Sequence, residues 1–267
     1  MKDIKWYRAW DIVYPVGIYY VLMNVATFVV CLIVPLTDES YGFIKVLTTL
    51  FVLPVVYVMY RNDQLRRGVQ KAKAKELLFD MRSEILPLLG ILVMAACAAV
   101  VLNNLIAWTP LMKVSATYQS VTRKFFGGAV IFEILGPCIF VPILEEYVFR
   151  GLVYKRLREW LGMTWAIVIS AIIFGMMHMN IVQFVYAGFL GVFLALCVER
   201  TKHLYGAILA HMAANTISVI RTETNWLSWM DESLQAQALT TVGMGLVFIG
   251  LYLLVFWKGK GDGKKII

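Results

Sequence analysis

Apolar residues along this chain gather into long runs instead of the alternating or one-sided patterns of a soluble fold. Runs of roughly 18 to 22 residues recur, each long enough as a helix to cross about 30 Å of hydrocarbon. They predict spans at 13–34, 43–60, 85–107, 125–144, 164–178, 181–198, 204–220 and 239–257. About eight crossings of helical length predict an all-α, polytopic membrane helix bundle, because a helix satisfies its own backbone polar groups inside lipid. No internal repeat, low-complexity tract or soluble module interrupts the pattern, so residues 1–267 are expected to form a single membrane domain.

Composition agrees: 60% of the residues are hydrophobic and 16% charged, against about 25% charged in an ordinary soluble domain. The net charge of +8 does not indicate a nucleic-acid partner, because the basic residues sit in short connections between apolar runs rather than on one face of a basic domain. They report topology instead. The basic loop 61–84 holds Arg61, Arg66, Arg67, Lys71, Lys73, Lys75 and Arg82 and is expected to be cytoplasmic by the positive-inside rule. Counting spans from it puts Lys155, Arg156, Arg158, Arg200, Lys202 and the C-terminal lysines inside, and Asp38, Glu39, Glu223, Asp231 and Glu232 outside. Both termini are then cytoplasmic, in a cell membrane. The connection 108–124 fits less well, since it carries Lys113, Arg123 and Lys124 on the outer side. Residues 2–12 interleave charges with Trp6, Tyr7 and Trp10, a pattern suited to an N-terminal interfacial helix and too polar for a signal peptide. Cys31, Cys97, Cys138 and Cys197 stand singly in apolar runs, without metal-binding spacing, and are expected to be free thiols.

An ionisable side chain at the bilayer centre costs about 2.5 to 3.5 kcal/mol on insertion scales, so each one needs a partner or a purpose. Glu145, Glu146 and Arg150 end the fourth predicted span, His178 ends the fifth, and His211 and Asn215 lie in the seventh. Their combined cost is tolerable only if they face one another. Residues four apart share a helical face, so Glu146 is expected to pair with Arg150, and His211 to act with Asn215. Glu145 lies about 100° around the helix from Glu146 and is expected to point toward His178 and His211. There a carboxylate could take a proton from water, His178 could share that water, and His211 with Asn215 could donate to an oxyanion. Pro137 and Pro142 each remove a backbone donor, which favours a water-containing pocket near Glu145. Glu133, in the same span, is expected to make a structural or snorkelling contact.

In this order, Glu145-Glu146-x-x-x-Arg150, Phe174-x-x-x-His178 and His211-x-x-x-Asn215 resemble the three motifs of the CAAX protease and bacteriocin-processing family (CPBP, or Abi). The type II CAAX prenyl endopeptidases belong to it. The resemblance covers a core of about 125–220. It implies an intramembrane endopeptidase in which Glu145 is the catalytic base, His178 its partner on the water, and His211 and Asn215 the transition-state stabilisers, with Glu146 and Arg150 supporting. It implies a peptide or lipidated-protein substrate at the bilayer, met in peptide maturation or bacteriocin immunity. Family members are described both as metalloproteases and as metal-independent glutamate proteases. Zinc is therefore an open candidate, with Glu145, His178 and His211 as ligands, and the expectation is no obligatory cofactor. A different class of function also fits the polar residues: a non-proteolytic scaffold that binds another membrane protein such as a sensor kinase. A transporter fits less well, because paired broken helices in two repeated halves are missing.

Overall fold

The computed structural model describes residues 3–67 and 85–257, the former with side chains from Trp6 onward. Loop 68–84, most of the predicted basic connection, and the tail after 257 lie outside the described residues. The described chain is helical throughout: α1 Asp3–Cys31, α2 Tyr41–Arg66, α3 Ile85–Ala107, α4 Ala116–Phe125, α5 Val130–Leu161, α6 Met163–Met176, α7 Ile181–Thr201, α8 Leu204–Glu223 and α9 Leu234–Phe256. Each of the eight predicted runs coincides with a helix. Five helices, α1, α2, α3, α7 and α9, are long and apolar enough to cross a membrane, and six are if α4 and α5 together count as one bent span. The chain is thus a multi-pass membrane bundle of helices.

Lipid-facing and core-facing helices differ as that solvent requires. Val21, Val25 and Phe28 on α1 and Leu239, Val242 and Leu246 on α9 are exposed, forming an apolar belt. The interior closes around α3, α5, α7 and α8, with Met94, Ala95, Leu144, Leu152, Leu194 and Ala210 fully buried. Helices α6 and α7 pack most extensively, and α3 holds both α8 and α9. Small residues permit this closeness. A Cβ at Gly175 on α6 would stand 2.7 Å from the Phe184 carbonyl oxygen on α7, so the two backbones touch as small residues allow between membrane helices.

The expected interfacial stretch 2–12 is, in its described part, continuous with the first long helix. Helix α1 runs unbroken from Asp3, and Trp6, Tyr7 and Trp10 are exposed on its first turns. The predicted fourth span begins too early at 125. The chain bends by 118° between α4 and α5, and Gly127 and Gly128 make the bend, because a Cβ on either would come within 2.8 Å of a carbonyl oxygen, Arg123 and Glu39 respectively. The poorly fitting connection 108–124 therefore contains a short polar-apolar helix set steeply against the spans, on which Arg123 is exposed. The fifth predicted run ends early: α6 has 14 residues, about 21 Å of helix, less than the hydrocarbon thickness.

Polar clasps hold the two ends of the bundle. At one end Arg156 of α5 binds Asp63 of α2 at 2.7 Å, the Tyr14 hydroxyl at 2.7 Å and the Asp11 carbonyl of α1, while Arg67 joins Asp63 at 2.7 Å and Glu159 at 2.5 Å. At the other, Arg221 of α8 donates to Asn104 of α3 at 2.6 Å and pairs with Asp231, and Asn104 donates to Thr241 of α9 at 2.8 Å. The four cysteines are free. Glu133 is buried and neither of its carboxylate oxygens has a hydrogen-bond partner among the described residues.

The tight α6 and α7 contact predicts that Gly175→Ala lowers the thermal unfolding midpoint in detergent by an amount equivalent to about 1–3 kcal/mol, the usual cost of overpacking. Gly188→Ala one turn further along α7, where an added Cβ meets nothing within 4 Å, should leave the midpoint in place.

Candidate functional site

Helix α5 is irregular at the point where the chemistry gathers. Its turns widen to i→i+5 bonding over Ile134–Phe140 and again over Tyr147–Tyr154, the kind of bulge that recurs at functional sites. Proline spacing explains part of it. In the first widened turn the Val141 N–H donates to the Gly136 carbonyl. In that register the Pro137 carbonyl would be served by residue 142, which is itself a proline and has no N–H. The Asn215 side chain of α8 supplies the missing donor, with Nδ2 at 2.8 Å from the Pro137 oxygen. One amide hydrogen is thereby committed and the other is left to donate elsewhere.

One turn further along α5, Glu146 is fully buried and its Oε1 accepts two bonds, from Arg150 Nη1 at 3.0 Å and His211 Nδ1 at 2.9 Å. The predicted pairing with Arg150 is present, and the same carboxylate also holds His211. Arg150 is also fully buried, donates to the Gly191 carbonyl of α7 at 3.2 Å and lies over the Phe174 ring of α6 at 4.3 Å. Gly191 leaves room for this contact, since a Cβ would stand 3.1 Å from the guanidinium and 3.2 Å from Ala171 and would press on both. Glu145 approaches the opposite side of the imidazole, with Oε2 3.9 Å from His211 Nε2. His211 thus stands between the two glutamates.

His178 follows the end of α6 in a turn. Its Nδ1 is 3.0 Å from the Phe174 carbonyl, which can only accept, so Nδ1 carries the hydrogen and Nε2 of the neutral ring is a free acceptor. Asn180 secures the turn by donating to the His178 carbonyl at 3.1 Å and capping α7 through Gln183 N at 2.9 Å. Met179, between them, has a left-handed φ of 57°, an uncommon conformation for a bulky residue that is held here by its surroundings. The Phe174 ring meets His178 at 5.0 Å and His211 at 5.7 Å, edge-on to both, and spaces the two imidazoles.

Glu145, His178, His211 and Asn215 all line one cavity of about 400 Å³. The predicted convergence of three membrane segments is therefore present. Among the wall residues that escaped sequence reasoning are Tyr19 of α1, buried against Phe149 with ring centroids 5.8 Å apart, Lys45 of α2 and Tyr118 of α4, all on the same cavity. A tyrosine or lysine within an apolar run has no motif to mark it, and only packing shows which way it points. The candidate zinc ligands Glu145, His178 and His211 are not drawn together as a metal cage, and among the described residues no group of three His, Cys, Asp or Glu is placed to hold a metal ion.

Comparison with known proteins falls on this same region. Rce1-like type II CAAX prenyl endopeptidases match residues 127–217. A protein of Bacillus subtilis (strain 168) named "Putative membrane peptidase YdiL" is 35% identical over 92 residues, which is 34% of this chain and 38% of that protein's length. Both matches support the resemblance of this region to the CPBP family, and the chain covers less than half the length of the curated relative it matches. No solved structure matches. The matched segment contains Glu145, Glu146, Arg150, His178, His211 and Asn215, whereas Tyr19, Lys45 and Tyr118 lie outside it.

Because Arg150 neutralises a carboxylate sealed from water, Arg150→Met should strand Glu146 and destabilise the protein by about 3–5 kcal/mol. Thermal unfolding in detergent checks this, and the double variant Glu146→Gln with Arg150→Met should recover part of the loss. Equal losses in the single and double variants would contradict the pairing.

Proposed function

We propose that the chain is an intramembrane endopeptidase that hydrolyses a peptide bond with water activated by Glu145. The observation that carries this reading is the single cavity lined by Glu145, His178, His211 and Asn215. The preferred substrate is a membrane-associated peptide, prenylated or carrying a leader sequence, reaching the cavity from the bilayer. We place the protein in the cell membrane with both termini cytoplasmic, in keeping with the basic residues at the Arg67, Arg156 and Arg158 end.

In this mechanism a water molecule lies between Glu145 and Nε2 of His178, whose lone pair accepts one of its hydrogens. Glu145 takes the other proton as the water oxygen attacks the scissile carbonyl carbon. His211, with Nδ1–H committed to Glu146, can donate to the oxyanion only through Nε2–H, so it acts as imidazolium. The free amide hydrogen of Asn215 is the second donor. Charge is balanced throughout: Arg150 and His211 offset Glu145 and Glu146, and when Glu145 becomes neutral the oxyanion takes over its negative charge. Collapse of the tetrahedral intermediate breaks the C–N bond, and Glu145 returns its proton to the departing amine. Placing donors in advance where charge develops is the largest expected contribution, with proton transfer adding about 10²–10⁴-fold. The pair Arg150 and Glu146 acts through His211 by fixing its ring.

Two measurements test the proposal. Glu145→Gln and His178→Ala should each lower cleavage of a farnesylated CAAX peptide by about 10²–10⁴-fold while the unfolding midpoint stays unchanged, and retained cleavage in either would contradict the assigned roles. With the protein acting through these side chains alone, wild-type cleavage should survive a strong chelator and gain nothing from added zinc.

A further inference from the structure

The cavity holds a cationic side chain that the proposed chemistry does not use. Lys45 lines it from the N-terminal turns of α2, close to the helix end, where a lysine can extend its ammonium along an apolar wall. Its ammonium lies 5.7 Å from the Tyr41 ring, and it forms no ion pair with any described carboxylate. Behind the reaction centre, Arg150 and Glu146 already satisfy each other. Lys45 is therefore a positive charge without an ion-pair partner among the described residues, on the wall of the cavity a substrate would enter.

Helix register gives its distance from the reaction. Gly42 meets Phe132 and Gly136 meets Val46, while Gly151 meets Tyr60, so α2 and α5 run parallel at a nearly constant offset. Lys45 sits level with Leu135, ten residues before Glu145 on α5. That separation is about 12–15 Å along the axis, allowing for the widened turns. An extended peptide covers about 3.3–3.6 Å per residue, and the lysine stem can reach inward by roughly one residue.

Resting on the peptidase reading above, we propose that Lys45 is a substrate-binding residue that receives a carboxylate carried about three residues from the scissile bond. Tyr41, beside Lys45, and Tyr118 line the same cavity and provide aromatic surface for the residues between. Either a peptide C-terminus or an Asp or Glu side chain supplies that group. The subsite lies on α2, outside the matched residues 127–217.

The test measures binding to the Glu145→Gln protein in lipid nanodiscs, so that turnover does not intervene. The probe is a farnesyl-cysteine peptide with three aliphatic residues after the cysteine, prepared as the free acid, as the C-terminal amide, and as the amide with Glu at the last position. The acid should bind at least about tenfold more tightly than the amide, the loss expected for a charge-assisted hydrogen bond. Lys45→Gln should abolish the difference and Lys45→Arg should keep it. Recovery of tight binding by the Glu-containing amide identifies side-chain carboxylates as accepted ligands, and no recovery assigns the subsite to a chain terminus. Equal binding of acid and amide, a preference that survives in Lys45→Gln, or no binding of any peptide would overturn the inference. Cleavage by the Glu145 protein is scored separately: an acid preference without cleavage keeps the subsite and sinks the peptidase reading.

Discussion

The buried carboxylate of Glu146 is the constraint on which the rest of the site depends. An ion sealed from water is costly unless its charge and lone pairs are met, and here an arginine and a histidine meet it from two directions. Arg150 is in turn fixed by the Gly191 carbonyl and the Phe174 face. One carboxylate thereby ties α5 to α6, α7 and α8. The same contact orients the His211 ring and directs Nε2 to the side where Glu145 stands.

Backbone irregularity supplies the space that this polar core needs. Two prolines five positions apart leave the Pro137 carbonyl without a helical donor, and Asn215 takes the vacancy. Helix α6 stops short of a full crossing and ends in a strained turn that carries His178. Regular helices packed side by side would have closed this volume with aliphatic side chains. Widened turns and a half-length helix instead leave a cavity of about 400 Å³ bounded by polar groups, of the kind in which non-helical backbone is tolerated at membrane depth.

Much of this was legible in the sequence, and the reasons are physical. Apolar runs located every long helix, and the cost of charge in lipid singled out Glu145, Glu146, Arg150, His178, His211 and Asn215 as groups that had to meet. Spacing of four predicted the Glu146 and Arg150 pair, which is present. What helical spacing could not show was that Glu146 reaches across to His211 as well, because that depends on how α5 and α8 are rotated against each other. The break at Gly127 and Gly128 was absorbed into an apolar run, since two glycines between phenylalanine and alanine do not interrupt hydropathy. Tyr19 and Lys45 stayed hidden for the opposite reason: each is a single polar group on a long helix, and snorkelling or lipid contact explains it equally well until the packing is known.

A structure of the Glu145→Gln protein with an uncleaved peptide bound, at a resolution that places solvent, tests the central claim most directly. The account predicts the scissile carbonyl oxygen within hydrogen-bonding distance of both His211 Nε2 and Asn215 Nδ2, with an ordered water between residue 145 and His178. A peptide seated away from these side chains, or a dry contact between residue 145 and His178, would contradict it.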